Sequence, residues 1–154
     1  MSELPPVTFL GETLVAVDDK GRFVIPAAYR ETVSSGCGNR LAICYHPYEQ
    51  CLWILPVPVW EVRAKAYGQL REGPKAHQVL KMRVIGAATF VEPDGNGRVL
   101  LPASLRSIVQ IEKKAVLLGM NDKFELWSEH GHLAMSREPI REDQETEEMR
   151  DLKL

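Results

Sequence analysis

The chain has 154 residues, of which 45% are hydrophobic, and a formal net charge of −2 at pH 7. This length fits one domain or two small units packed together. No apolar run approaches the roughly 18 residues that a membrane span needs, and residues 1–6 lack a basic region followed by an apolar stretch, so we expect neither a signal peptide nor a membrane partner. The slightly acidic total argues against a general binder of polyanions, so nucleic acid could be contacted only through a local cationic surface.

The first part of the chain predicts two strands, a helix and two further strands. Residues 8–17 favour a strand, and residues 23–25 a second one after a turn. A helix over residues 26–33 follows, because a proline suits the start of a helix. Residues 41–45 and 51–55 predict the closing pair of strands.

The second part predicts the same order of elements after a helical linker. Apolar residues at helical spacing between Trp60 and Leu70 predict the linker helix, which ends at Gly73-Pro74. The elements expected after it are strands over residues 83–91 and 99–101, a helix over 102–109, and strands over 115–119 and 124–127.

Charge is distributed unevenly along the chain. Residues 61–83 hold six basic and two acidic residues, whereas residues 137–154 hold four basic and seven acidic ones. The basic linker is either a solvated helix face or an additional contact to nucleic acid. The acidic tail, which contains Pro139, predicts a frayed helix or disorder.

A duplication is the most informative feature of the sequence. Asp18–Arg30 returns as Asp94–Arg106, 76 positions later, with six of thirteen residues identical, where about one identity is expected by chance. Upstream, Phe9–Leu14 matches Ile85–Phe90 at the same offset. Each copy alone would be a thin layer with exposed strand edges. We therefore expect an α+β fold in which the two copies interleave in one barrel-like domain.

Each copy contains a turn in which an aspartate precedes a glycine by three positions and an arginine by four. The residues concerned are Asp18, Gly21 and Arg22, and Asp94, Gly97 and Arg98. Short aspartate side chains accept hydrogen bonds from nearby backbone N–H groups, and glycine permits a positive φ. An arginine held on such a turn can donate two parallel hydrogen bonds to a phosphate or to the O6 and N7 atoms of guanine.

Two other turn residues complete the predicted DNA contacts, Lys20 in the first copy and Asn96 in the second. Lys20 adds a positive charge that attracts phosphate, and the second turn should be weaker electrostatically. The alternative is that both aspartate–arginine pairs only close hairpins, as exposed ion pairs often do. Arg30 and Arg106, on the two helices, are expected to be solvated or paired structural residues.

The string D-x-K-G-R-x-x-x-P-x-x-x-R, its second copy and the closing Phe124–Trp127 segment resemble the MraZ family, bacterial regulators with two SpoVT/AbrB-type repeats in one chain. The resemblance runs from Phe9 to Trp127 and implies two swapped-hairpin ββαββ repeats with peripheral helices. The domains expected from it are a first repeat over residues 8–58, a basic helical linker over 59–82, a second repeat over 83–130 and an acidic tail over 131–154.

The resemblance also implies a function. Members of this family are transcriptional regulators, usually repressors, that assemble into rings and bind short G-rich direct repeats upstream of the division and cell-wall gene cluster. The expected partners are thus double-stranded promoter DNA and further copies of the chain, in the cytoplasm at the nucleoid. The turn-bracing residues would be Asp18, Gly21, Asp94 and Gly97, and the DNA-binding residues Lys20, Arg22, Asn96 and Arg98. Asp19 departs from a purely cationic turn by adding a negative charge.

Two other classes of function stay open. One is a ring-forming scaffold whose turns bind protein partners, and the other is an antitoxin-type regulator that uses the same turn. We find no nucleophile elbow, phosphate-binding loop or paired catalytic acids, so we expect no enzyme, no small-molecule substrate and no cofactor.

The sequence gives no strong metal signal. Cys37, Cys44 and Cys51 fit neither a disulfide framework nor a zinc knuckle. His130-Gly131-His132 lacks partner ligands at a suitable spacing, and Asp94–Gly97 departs from a calcium loop. We therefore expect no metal, and we expect Trp53 and Trp127 to serve as core or interface anchors rather than base-stacking platforms.

Overall fold

A computed structural model describes residues 9–152 of the chain. The first repeat and the linker consist of β1 (Phe9–Ala16), β2 (Arg22–Val24), α1 (Ala27–Glu31), β3 (Leu41–Tyr45), β4 (Leu52–Pro56), α2 (Val57–Gly68) and α3 (Lys75–Lys81). The second repeat and the tail consist of β5 (Thr89–Val91), β6 (Arg98–Leu100), α4 (Ala103–Ile108), β7 (Lys114–Asn121), β8 (Phe124–Ser128), α5 (Glu129–Arg137) and α6 (Glu147–Asp151). The expected α+β class is confirmed.

Prolines mark the starts of the first four helices. Each of α1, α2, α3 and α4 begins directly after a proline in extended conformation. Proline fixes φ near −65° and has no N–H to leave unpaired at a helix start, so it ends a strand and admits a helix. The chain thus switches from strand to helix at the same point in both repeats.

The two repeats exchange strands. The larger sheet is antiparallel, in the order β1-β7-β8-β4-β3-β5, and β2 pairs with β6 in a separate ribbon. The first strand of each repeat lies beside the third strand of the other, since β1 pairs with β7 and β5 pairs with β3. This order reads the same when the repeats are exchanged, so the expected interleaving of the two copies is confirmed.

A pseudo-two-fold axis passes through both sheets. In the ribbon, Phe23 pairs with Val99, its counterpart 76 positions later. In the larger sheet, Leu52 pairs with Leu126, its counterpart 74 positions later, since the loops before these two strands differ in length by two residues. Because each pair sits on the axis, the two halves of the molecule have nearly equivalent surroundings.

Two details differ from the sequence-based expectation. The larger sheet is open, with β1 and β5 at its edges, rather than closed into a barrel. The strand expected over residues 83–91 begins only at Thr89, because residues 82–86 continue α3 in a wider helical turn. The packing of the linker explains the second difference, since Trp60 Nε1 donates to the carbonyl oxygen of Val84 at 2.9 Å and Val84 is buried.

The main core lies between the larger sheet and the β2–β6 ribbon with its two helices. Its aromatic centre is a stack of Phe9 on Phe124, whose ring centroids are 4.0 Å apart, with Tyr29 edge-on to both at 5.5 Å. A smaller cluster on the other face of the sheet includes Trp53, and both Trp53 and Trp127 are buried. Both tryptophans are thus buried in this chain, which agrees with an anchoring role rather than with base stacking. Among residues 9–152, no helix combines the length and the hydrophobicity that a transmembrane span requires.

The aromatic centre gives a stability prediction. We expect Phe124→Ala to lower the free energy of unfolding by about 3–5 kcal/mol, because the ring is fully buried and its removal leaves a cavity. Phe90→Ala is the matched control, since Phe90 is 46% exposed and should cost only about 1 kcal/mol. Chemical denaturation at one fixed protein concentration measures both losses, and similar values for the two variants would contradict the assignment of the core.

Candidate functional site

The first turn is held by one carboxylate. Asp18 Oδ1 accepts hydrogen bonds from the backbone N–H groups of Lys20 and Arg22, each at 2.9 Å, and Asp18 Oδ2 accepts from Arg22 Nε at 2.9 Å. The N–H of Gly21 closes the turn on the carbonyl oxygen of Asp18, with Gly21 at φ +87°. The backbone of the turn and the side chain of Arg22 are therefore both held by hydrogen bonds to Asp18.

The second turn reproduces this geometry. Asp94 Oδ1 accepts from the N–H groups of Asn96 and Arg98 at 2.9 Å, and Asp94 Oδ2 accepts from Arg98 Nε at 2.7 Å. Gly97 takes φ +79°. The sequence-based prediction of two Asx-type turns with glycine at a positive φ matches both copies.

Each arginine is oriented by its aspartate and still faces solvent. Arg22 and Arg98 use Nε for the ion pair, and their side chains are 34% and 41% exposed. Among residues 9–152, neither terminal amino group of these two guanidinium groups makes a further hydrogen bond. Within the described residues no hydrogen bond therefore occupies Nη1 or Nη2, and these donors are available to an outside acceptor.

The two aspartates are ionised at neutral pH. The pKa of Asp18 and that of Asp94 lie below the usual 3.8, mainly because the backbone N–H of the following arginine donates to each carboxylate. Partial loss of solvent opposes the shift, and the arginine side chain adds to it. The bracing is thus fully present above pH 3.8 and is lost as the pH falls through the lowered pKa.

The turns are joined to each other by backbone hydrogen bonds between repeats. The N–H of Ile25 donates to the carbonyl oxygen of Gly97, and the N–H of Leu101 donates to that of Gly21, both at 2.8 Å. These bonds extend the β2–β6 ribbon at both ends. Each turn is therefore anchored on the strand that follows the other turn.

Helix arginines lie against the opposite turns. A Cβ atom added at Gly97 would lie 2.8 Å from Arg30 Nε, and one added at Gly21 would lie 3.4 Å from Arg106 Cζ. Arg30 Nε also donates to the carbonyl oxygen of Ile25 at 3.1 Å. The expectation of structural arginines holds for Arg30, and both arginines pack on the turn of the repeat to which they do not belong.

The comparisons with known proteins agree with the duplicated architecture. The MraZ protein model, whose description calls it antitoxin-like, matches residues 8–73 and 84–154. The chain is 43% identical over 150 residues to a protein of Stenotrophomonas maltophilia and equally to one of Xylella fastidiosa (strain Temecula1), covering 95% of this chain and 99% of each relative. A protein of Saccharophagus degradans is 38% identical over 146 residues. Each of the three is named transcriptional regulator MraZ.

The chain belongs to the MraZ family. Proteins of this family are named transcriptional regulators and not enzymes, in agreement with the sequence-based expectation.

Lys20 and Asn96 occupy equivalent positions in the two turns of this MraZ-family chain. Each is exposed, and the backbone N–H of each is bound to the carboxylate of its turn. The four predicted DNA-binding residues are thus arranged as two pairs on exposed turns, Lys20 with Arg22 and Asn96 with Arg98.

The sequence did not predict that each helix arginine packs against the turn of the other repeat. Arg30 and Arg106 share the 76-residue offset of the turn residues, which marked them as part of the repeated unit. The offset does not reveal which turn each arginine contacts, because that depends on the exchange of strands. The pattern indicated an equivalent role in both copies without indicating what that role is.

A second polar cluster lies at the end of the β3–β4 hairpin. His46, Cys51 and Glu125 place one nitrogen, sulfur or oxygen atom each within 4.8 Å of one another. A metal-bound neutral imidazole carries its proton on the other ring nitrogen, yet His46 Nδ1 accepts from the N–H groups of Tyr48 and Glu49, both at 3.0 Å. The proton therefore belongs on Nε2, which faces Glu125 at 3.4 Å, and this arrangement does not fit a metal ligand.

The carboxylate of Glu125 in this cluster is stabilised by neighbouring groups of the chain. Burial raises the pKa of Glu125, but hydrogen bonds from His46 and Trp127 together with nearby positive charge, including that of Lys123, outweigh it, so the net pKa lies below the usual 4.5. Burial also raises the pKa of the Cys51 thiol, which keeps it neutral. We therefore assign the cluster to the packing of the hairpin against β8 rather than to a functional site.

The two glycines of the second turn give a matched test. We expect Gly97→Ala to destabilise the protein by about 1–3 kcal/mol, because Gly97 has a positive φ and a new methyl group would displace Arg30. Gly95→Ala should change the stability by less than about 0.5 kcal/mol, since a Cβ there meets nothing within 4 Å. Thermal or chemical denaturation compares the two variants, and an equal effect of both would refute the packing described for this turn.

Proposed function

We propose that the protein is a DNA-binding transcriptional regulator that acts as a repressor of a division and cell-wall gene cluster, in the cytoplasm at the nucleoid. Its relatives are named transcriptional regulators. The observation that carries the DNA contact is the pair of braced turns, each presenting the free edge of an arginine to solvent. The proposed ligand is promoter DNA with short G-rich direct repeats.

The geometry of the arginines supports readout of guanine. Two parallel N–H donors match the O6 and N7 acceptors of guanine in the major groove. Fixing the guanidinium through Nε before binding reduces the side-chain entropy lost on contact. The aspartate of each turn therefore has a positioning role, and the arginine makes the contact.

The residues beside the arginines make the two turns unequal. Lys20 can follow the phosphate backbone as a flexible positive charge, whereas Asn96 can form hydrogen bonds without adding charge. Asp19, which is exposed next to Lys20, reduces the local positive potential. A single protomer would thus neutralise only a few phosphates and bind weakly at physiological salt.

Self-association in a ring would compensate for this weak single contact. When several protomers are linked, each further turn binds at a high effective concentration, provided that the spacing of the turns matches the spacing of the DNA repeats. The net charge of −2 then presents no obstacle, because affinity comes from the number of turns. The proposed partners are promoter DNA and further copies of the chain.

An antitoxin-type regulator is the second candidate, favoured by the antitoxin-like description of the family. Such a protein would use the same turns on DNA and would bind a toxin elsewhere. A toxin that co-purifies with the full chain would support this candidate.

The arginines can be tested directly. We expect Arg22→Ala and Arg98→Ala each to weaken binding to promoter DNA by about 1–3 kcal/mol per turn. Arg22→Lys should bind DNA almost as weakly as Arg22→Ala, because lysine keeps the positive charge but lacks the two parallel N–H donors of a guanidinium group. Arg137→Ala, in the exposed last turn of α5, is the control. Fluorescence anisotropy at several salt concentrations measures the affinity and its salt slope, and unchanged binding by both alanine variants would refute the proposal.

Variants of the turn aspartates test whether Asp18 positions Arg22 for DNA or whether the turn attracts DNA by charge alone. Removing the carboxylate in Asp18→Ala makes the turn more positive, so a purely electrostatic contact would strengthen. If Asp18 positions Arg22, the variant should instead bind guanine-containing sites more weakly, by about tenfold, and lose discrimination against other sequences. Titrations of specific and scrambled DNA separate the two outcomes, with Asp19→Ala as the matched control, because Asp19 braces no arginine in the described structure.

A further inference from the structure

Residues 138–152 form an arm that makes no polar contact with residues 9–137. Within the described residues, every hydrogen bond and ion pair of the arm joins two of its own residues. The arm nevertheless carries large apolar side chains, since Ile140 is 72% exposed and Leu152 is 62% exposed. It holds seven acidic and two basic residues. An acidic segment with unpaired apolar side chains is suited to a basic surface with an apolar floor.

A groove with an apolar floor lies between α3 and α4, beside the basic linker. It encloses about 510 Å³ and is lined mainly by apolar side chains, of which Val79, Met82 and Ile108 are exposed. Lys75, Val79 and Met82 follow one another at helical spacing on α3. The linker contributes Val79, Met82 and Arg83 to the lining, and its residues 61–83 hold six basic and two acidic residues. The charged residues of the lining itself are Glu49 and Arg83, so the positive charge lies beside the groove, on α3, rather than on its floor.

A comparison of the two repeats indicates that the apolar surface of this groove is specific to the second repeat. Ile108 corresponds to Thr32 in the first repeat, 76 positions earlier. The neighbouring position is valine in both repeats, Val33 and Val109, and both are buried. At this position of the repeat the exposed isoleucine therefore occurs in the copy that borders the linker, and the other copy has threonine, which favours contact with another apolar group.

We propose that the acidic arm of one copy docks in the α3–α4 groove of a second copy. Ile140 or Leu152 would cover the apolar floor, and the acidic residues at the start of α6, Glu147 and Glu148, would face the lysines of α3. Opposite charge selects the partner and its register, while the apolar contact supplies most of the affinity. The inference rests on the self-association proposed above and not on DNA contact.

Charge exchange between two full-length variants tests this docking. The linker variant combines Lys75→Glu with Lys81→Glu, and the arm variant combines Glu147→Lys with Glu148→Lys. We expect each variant alone to self-associate about tenfold more weakly than the original chain, because like charges then face each other. A mixture of the two should recover association, since a basic arm meets an acidic groove in the partner copy. Sedimentation velocity at low and high salt measures all three.

The apolar part of the contact has its own matched pair. Ile108→Thr introduces the residue found at the equivalent position of the first repeat and should weaken self-association by about tenfold. Val62→Thr, at a site that is 65% exposed on α2, should leave it unchanged. Circular dichroism confirms that the variants remain folded.

Three outcomes would overturn the docking. They are a chain that does not self-associate, a mixture that fails to recover association, and recovery only when all four charge changes are in one chain, which would place the arm in its own groove. Arg22→Ala separates this inference from the proposed function, because this variant should bind DNA more weakly and still assemble as the original chain does. Assembly without any DNA binding by the original chain would refute the proposed function and leave the docking intact.

Discussion

The structure depends on the antiparallel pairing of β2 with β6 across the pseudo-two-fold axis. Each of these strands starts at a turn, and the carbonyl oxygens of Gly21 and Gly97 accept hydrogen bonds from Leu101 and Ile25 of the opposite repeat. An isolated two-stranded ribbon is barely stable in water. Here it is covered by the larger sheet and by α1 and α4, so the ribbon holds both turns in fixed positions.

The exchange of strands extends this dependence to the whole molecule. Because β1 pairs with β7 and β5 with β3, neither repeat can complete its sheet without the other. The side chains show the same dependence, since Arg30 and Arg106 each pack against the turn of the other repeat. Neither turn is therefore fully supported unless both repeats are folded together.

The features that the sequence predicted well are local ones. The Asx-type turns depend on residues within four positions of each other, and the starts of the helices depend on single prolines, so both could be inferred without knowledge of the fold. The late start of β5 could not, because it depends on Trp60 bonding to Val84, 24 positions away. The same holds for the open sheet, for Arg30 against Gly97, and for the His46–Glu125 contact, all of which require distant segments to meet.

The pseudo-two-fold axis has a consequence for the symmetry of any DNA site. Two objects related by a two-fold rotation face in opposite senses, as the halves of a palindrome do, whereas direct repeats all face the same way. One protomer with identical turns would therefore suit a palindrome. Asn96 stands in the second turn where the first has Lys20, and this difference breaks the equivalence. In the proposed function, one turn of each protomer then dominates, and successive subunits match sites that all face the same way.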